Sequence, residues 1–196
     1  MIVNIFLLVV FVAVTLLLAR DGLWDGLVML PSVLLAASLA TAWFESLTTV
    51  LEKALPSYTY LLDFFSIWTI FCVVLLGLRE VTDRVSRTKV KYRRPVELVG
   101  APLVAAVVAW VMVAFTAASL HTAALPRDLV QPTPESRMFF GLSPDRKWLS
   151  WVRNASRAGP FSNVAHPFDR DADFILRYAN RRQKIEAEKS LRVPVD

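Results

Sequence analysis

The sequence predicts an all-α integral membrane protein, a four-helix bundle with a partly helical C-terminal tail. Three observations predict it. Four apolar blocks of about bilayer length fill the first 120 residues: Ile2 to Ala19, Gly26 to Phe44, Tyr60 to Leu78 and Leu98 to Leu120. Their apolar residues run unbroken, without the period of 2 or 3.6 that marks half-buried elements of a water-soluble domain. The densest basic run of the chain lies in one short loop between two of these blocks. A helix rises about 1.5 Å per residue and a hydrocarbon core is about 30 Å thick, so about 20 residues suffice to cross. At 55% hydrophobic, the chain exceeds the roughly 45–50% apolar content of ordinary globular domains. It divides into a membrane part, 1–120, and a polar tail, 121–196.

Span 1 reads as a retained span rather than a secretory signal. A signal needs a positively charged start and a small-residue cleavage site. Met1 to Phe6 carries no Lys or Arg, and the block ends Leu17-Leu18-Ala19-Arg20-Asp21.

Orientation follows from the loop 79–94. Arg79, Arg84, Arg87, Lys89, Lys91, Arg93 and Arg94 face only two acids there. Short basic loops stay cytoplasmic. Span 3 then runs inward, span 4 outward, and both termini lie outside the cytoplasm. The tail carries thirteen Lys and Arg against nine Asp and Glu, but 121–140 holds only Arg127 and Arg137. Long segments translocate largely regardless of charge, so the tail is expected to be extracytoplasmic. The net charge of +5 thus reads as membrane orientation, and nucleic acid is not an expected partner. Cys72 is the only cysteine, which rules out a disulfide within the chain.

Helix association in lipid relies on close backbone approach, which small residues permit. Span 2 carries Ser32, Ala36 and Ala40 at spacing four. Span 4 carries Ala101, Ala105, Ala109 and Ala117 at spacings of four or eight. Each set lines one side of its helix, and the two ridges are expected to face helices. Pro31 and Pro102 fall near the expected starts of spans 2 and 4, where a proline costs least. Trp43, Tyr58 and Tyr60 at one interface, and Trp24 and Tyr92 at the other, suit headgroup depth.

Between spans 2 and 3, residues 45–55 have a different pattern. Leu47, Val50, Leu51, Ala54 and Leu55 recur at helical spacing opposite polar residues. This predicts an amphipathic helix ended by Pro56 and lying on the outer leaflet, or capping an oligomer.

An ionisable group inside a span is costly. Asp63, about one turn into span 3, is the clear case, with Ser66 beside it. It reads either as a polar intramembrane site or helix anchor, or as a carboxylate at a favourable helix N-terminus. No motif resembles an enzyme, and no cofactor or metal is implied. His121 and His166 lack nearby acids at metal-ligand spacing. Asp169-Arg170-Asp171-Ala172-Asp173 resembles the start of a calcium loop, but Phe174 and Asn180 replace its required Gly and Glu. The acids more simply favour a helix start.

In the tail, Leu125 to Pro144 holds four prolines and reads as an extended linker. Helices are expected at 144–158, exposing Trp148, Leu149, Trp151 and Val152, and at 171–191, with Phe174, Ile175, Tyr178 and Ile185 on one side. Gly159-Pro160 separates them. Their apolar content is too thin for a separate core, so both should dock on the bundle, the membrane surface or a partner, and the end, 181–196, should fray.

The layout over 1–120 resembles the colicin V production (CvpA) family of bacterial inner-membrane proteins. Arg20, Gly22 and Gly26 fit loosely the charged, Gly-containing turn that follows that family's first span. An alanine-rich second span, an amphipathic stretch, a third span ending in basic residues and a small-residue fourth span follow in the same order. Glu80-Val81-Thr82-Asp83-Arg84 resembles the polar Asp-Arg after the family's third span. Span 4 departs from the family's repeated Gly pattern, with Gly100, Pro102 and alanines instead. The resemblance implies a role in toxin production or export and in envelope upkeep. A scaffold or accessory protein is therefore expected, acting with lipid and with a second copy or another membrane protein. The alternative is an oligomeric channel or transport subunit with Asp63 and Ser66 on a polar path.

Overall fold

The computed structural model describes residues 2–55, 58–86, 90, 92–133, 135–157 and 167–187. Among them regular structure is helical throughout, with no strand. Helix α1 spans Ile2–Asp21, α2 Leu23–Ala54, α3 Thr59–Val85 and α4 Arg94–Leu120. The tail adds α5 (Arg127–Val130), α6 (Pro144–Arg157) and α7 (Phe174–Ala187). Helices α1 to α4 are each long and apolar enough to cross a membrane, and the chain is a multi-pass membrane protein. Large apolar side chains such as Leu17, Phe65, Val73, Leu76 and Leu103 point outward, as a hydrocarbon solvent allows.

A single residue turns the chain between α1 and α2. Gly22 has φ 101°, a left-handed value that costs glycine least. A Cβ there would lie 2.7 Å from Glu97 Oε1. That same oxygen accepts a hydrogen bond of 2.7 Å from Leu23 N–H, so a carboxylate from α4 caps the start of α2. α4 packs between α1 and α2, and α3 packs against α2. Gly100 sits against Leu23 and Gly26 against Val104, so α2 and α4 run parallel with their starts side by side.

Several boundaries differ from the sequence-based expectation. Residues 45–54 are helical but form the last turns of α2, with no break after Phe44. No Gly or Pro interrupts the run there, so the helix propagates. Its 32 residues span about 48 Å, so its final turns extend beyond a hydrocarbon core of about 30 Å. Leu55, with φ −133°, leaves helical geometry just before Pro56, as a pre-proline residue tends to do. Pro31 and Pro102 lie inside their helices, not in first turns, and Pro95 takes the start of α4.

The basic loop is also shorter than expected. α3 continues to Val85, and pairs Arg84–Glu80 at 2.8 Å and Arg79–Asp83 at 4.0 Å sit at helical i,i+4 spacing. Such pairs support an exposed helix end. Arg79 and Arg84 are thus helical, Arg93 precedes α4, and Arg94 opens it. Arg87, Lys89 and Lys91 lie outside the described residues. So do Pro56, Gly159-Pro160, His166, residues 188–196 and the side chains of Tyr60 and Ile185.

Nor is 125–144 an extended linker. It contains α5, and Val130, Met138 and Phe139 are buried. They pack with Leu7 of α1 and Val113, Ala117 and Leu120 of α4, and Phe139 N–H donates to Asn4 Oδ1 at 2.9 Å. The prolines shape the path while the apolar residues fix it to the bundle.

Candidate functional site: a buried polar cluster beneath the tail

The tail lies against one end of the bundle, where α2 and α4 finish and α3 begins. The fit begins with apolar residues. On α6, Trp148, Leu149 and Val152 recur at helical spacing and are buried. They join one core with Ala37, Ala40 and Phe44 of α2, Phe71 of α3 and Phe115 and Ala118 of α4. Phe115 carries the aromatic contacts across, with ring centroids 5.3 Å from Trp68, 4.7 Å from Phe71 and 6.0 Å from Trp148. Phe174 of α7 meets Phe44 edge-on at 6.3 Å.

Polar groups then fix direction. Trp148 Nε1–H donates to Thr41 Oγ1 at 3.0 Å, and that hydroxyl donates to Ala37 O. Trp68 Nε1–H donates to Ser119 Oγ at 3.2 Å. Beyond Leu120, α4 closes with tight turns: His121 N–H donates to Ala118 O and Thr122 N–H to Ser119 O. That turn puts the His121 ring in the interior with no exposed surface. Asp145, in the first turn of α6 after Pro144, is equally buried. His121 Nε2 lies 3.0 Å from Asp145 Oδ2. With Nε2–H donating, the ring is held by a carboxylate at a helix N-terminus. His121 Nδ1 and Asp145 Oδ1 have no hydrogen-bond partner among the described residues. Burial pushes the His121 pKa below its usual 6.5, and the Arg182 and Arg146 charges push the same way, while Asp145 opposes them.

α7 adds three arginines. Asp169 starts the helix by accepting from the N–H groups of Asp173 and Phe174, both at 3.0 Å. This acidic run thus serves the helix N-terminus. Arg177 Nη1 donates to Glu45 of α2 at 3.0 Å, Arg181 to Asp63 of α3, and Arg182 Nη1 to the His121 carbonyl at the end of α4 at 2.9 Å. One short helix therefore ties together three spans. Between these arginines Tyr178 is buried. Its phenol pKa is driven up by burial and then by the Asp63 and Glu45 carboxylates.

The residues singled out from sequence separate into three groups. Asp63 is 4% exposed and engaged by Arg181. Ser66, one turn on, is fully buried and its hydroxyl has no partner among the described residues. Ser32, Ala36, Ala40, Ala101, Ala105 and Ala109 are all buried, and Ala36, Ala40 and Ala105 share one core. Arg79, Arg84, Arg93 and Arg94 lie at the opposite end of the bundle from Asp63.

Sequence reasoning missed the His121–Asp145 pair and the three arginine clamps. The pair is separated by 24 positions and the Arg181–Asp63 pair by 118, so no local spacing reveals them. The one available signal was an acid buried near a span end in a chain whose tail carries a run of arginines. Chemically, the cluster can hold a helix in place and respond to protonation. His121 and Asp145 are both closed off from the surface. No family model, curated protein or solved structure matches the chain.

Proposed function

We propose that this chain is an assembly protein of the bacterial inner membrane, of the kind its CvpA-like layout implies. It acts through helix contacts with a second copy or with an export or envelope complex. Its tail is an extracytoplasmic cap fastened to the bundle, and the basic residues at the other end face the cytoplasm. Toxin production or export and envelope maintenance are the processes it serves, as a scaffold and not as an enzyme, with the bilayer as its constant partner and nucleic acid as none.

The observation that carries this reading is the Asp63–Arg181 ion pair. A carboxylate that serves proton or cation passage has to meet water and exchange its partner. This one is buried, and a tail helix supplies its counter-charge. It acts as an anchor for the cap, which supports the scaffold over the channel alternative.

Purification from the native membrane in mild detergent tests the reading. A second copy or a defined membrane partner should co-purify with the wild-type chain and be reduced when Asp63→Asn or Arg181→Gln loosens the cap. Proton or cation flux in liposomes that disappears with Asp63→Asn would favour the channel instead. Reporter fusions after Arg94 and after Leu125 should report opposite sides.

A further inference from the structure

Two clefts open at the end of the bundle away from the tail, and they sort charge between them. One, of about 330 Å³, lies among α1, α2 and α3 and collects Asp21, Asp25 and Asp83 with Arg79. The other, of about 650 Å³, lies between the end of α1 and the start of α4. Arg20 and Arg94 stand on its rim, and Leu98, Ala101 and Pro102 form an apolar wall. Both arginines are exposed, and neither has an ion-pair partner among the described residues.

Glu97 also lines this groove, but its Oε1 accepts from Leu23 N–H. That contact directs the carboxylate at the positive end of α2 and leaves the rim cationic. Arg20 lies in the last turn of α1 and Arg94 is the first residue of α4. Both therefore sit where spans leave the hydrocarbon, at headgroup depth. The wall residues follow four to eight positions into α4, about 6–12 Å deeper. Small side chains at Ala19 and Ala101 keep the space between the helices open.

We propose that this groove binds an anionic phospholipid. The phosphate sits between the two guanidiniums, whose planar forks suit phosphate oxygens. An acyl chain then lies over Leu98, Ala101 and Pro102. A free anion would use the rim alone and leave the apolar wall bare, whereas a lipid matches both parts at the depth where lipids lie.

The test uses full-length protein in a neutral maltoside detergent, with lipid retention read by native mass spectrometry. Phosphatidylglycerol is added in one arm and phosphatidylcholine of the same chains in another. Phosphatidylglycerol should be retained selectively, and the Arg20→Gln/Arg94→Gln variant should bind it about 10- to 30-fold more weakly, the effect of removing two basic contacts at a membrane surface. Arg79→Gln/Arg84→Gln, on exposed positions outside the groove, should retain the wild-type preference. Arg20→Lys/Arg94→Lys keeps both charges and should recover most of the binding, which separates loss of the site from loss of the fold. Equal retention of both lipids, or an undiminished preference in the Arg20→Gln/Arg94→Gln variant, would overturn the proposal. So would competition by millimolar inorganic phosphate as effective as that by phosphatidylglycerol, since it would assign the rim to a free anion.

Discussion

At the scale of single residues, the tail junction is governed by charges held out of water. Burial of His121 links docking of the tail to pH. Its folded pKa lies below 6.5 because burial disfavours the imidazolium. Below about pH 6.5 the released tail takes up a proton that the docked tail resists, so docking is at full strength above that pH and weakens as pH falls. Hydrogen exchange across α6 and α7, corrected for intrinsic rates, should rise between pH 7.5 and 5.5. His121→Gln, which donates but does not titrate in this range, should flatten that dependence. An unchanged slope would assign the effect to another group. Asp63 and Arg181 behave differently, because removing one leaves the other uncompensated. Asp63→Leu should weaken docking by about 1.5–3 kcal/mol, the worth of a hydrogen bond to a charged group. Adding Arg181→Leu should recover part of that loss. A double-mutant cycle on thermal unfolding in detergent measures the coupling, and strict additivity would mean that the pair contributes nothing.

At the scale of elements, α6 is the part whose loss is most local. Trp148 is 4% exposed, packs on Phe115 and donates to Thr41. Trp148→Ala should cost about 3–5 kcal/mol and leave the Thr41 hydroxyl without its donor. Limited proteolysis should then cut within 144–157 while α1 to α4 stay intact; cleavage spread across the spans would contradict a local role. The four spans were legible because lipid demands long apolar blocks, and no tertiary contact can relax that demand. Their ends were not, since helix propagation continues past the hydrocarbon wherever the local sequence permits it. That is how 45–54 joined α2 and how Arg79 and Arg84 joined α3. The candidate site was half legible. Asp63 stood out as an acid in a span, but its partner comes from α7, beyond the reach of any periodicity. The prolines of 125–144 suggested an open linker, whereas buried Val130, Met138 and Phe139 bind that stretch to α1 and α4.

At the scale of the whole molecule, the two ends of the bundle do different work. The end without the tail presents charge to the surroundings through its two clefts. The other end pairs charge within the molecule, where α7 brings Arg177, Arg181 and Arg182 to α2, α3 and α4. Because Trp148, Leu149, Val152, Phe174 and Tyr178 share one core with residues of the spans, the tail is a continuation of the bundle and not an appendage. A chain ending after Ala123 would leave Phe44 and Phe115, both fully buried in the intact protein, open at a membrane surface, and Asp63 without its arginine. Truncations are tolerated where the lost segment makes few buried contacts, which is not the case here. The fragment 1–123 should therefore insert but behave poorly in detergent. Size-exclusion chromatography should show aggregation, or a melting temperature well below that of the full chain. Supplying residues 124–196 as a separate polypeptide should restore part of the loss, because the docking contacts are specific. A monodisperse fragment as stable as the full chain would mean that the spans complete their core alone, and that the arginines of α7 fasten the tail without supporting the bundle.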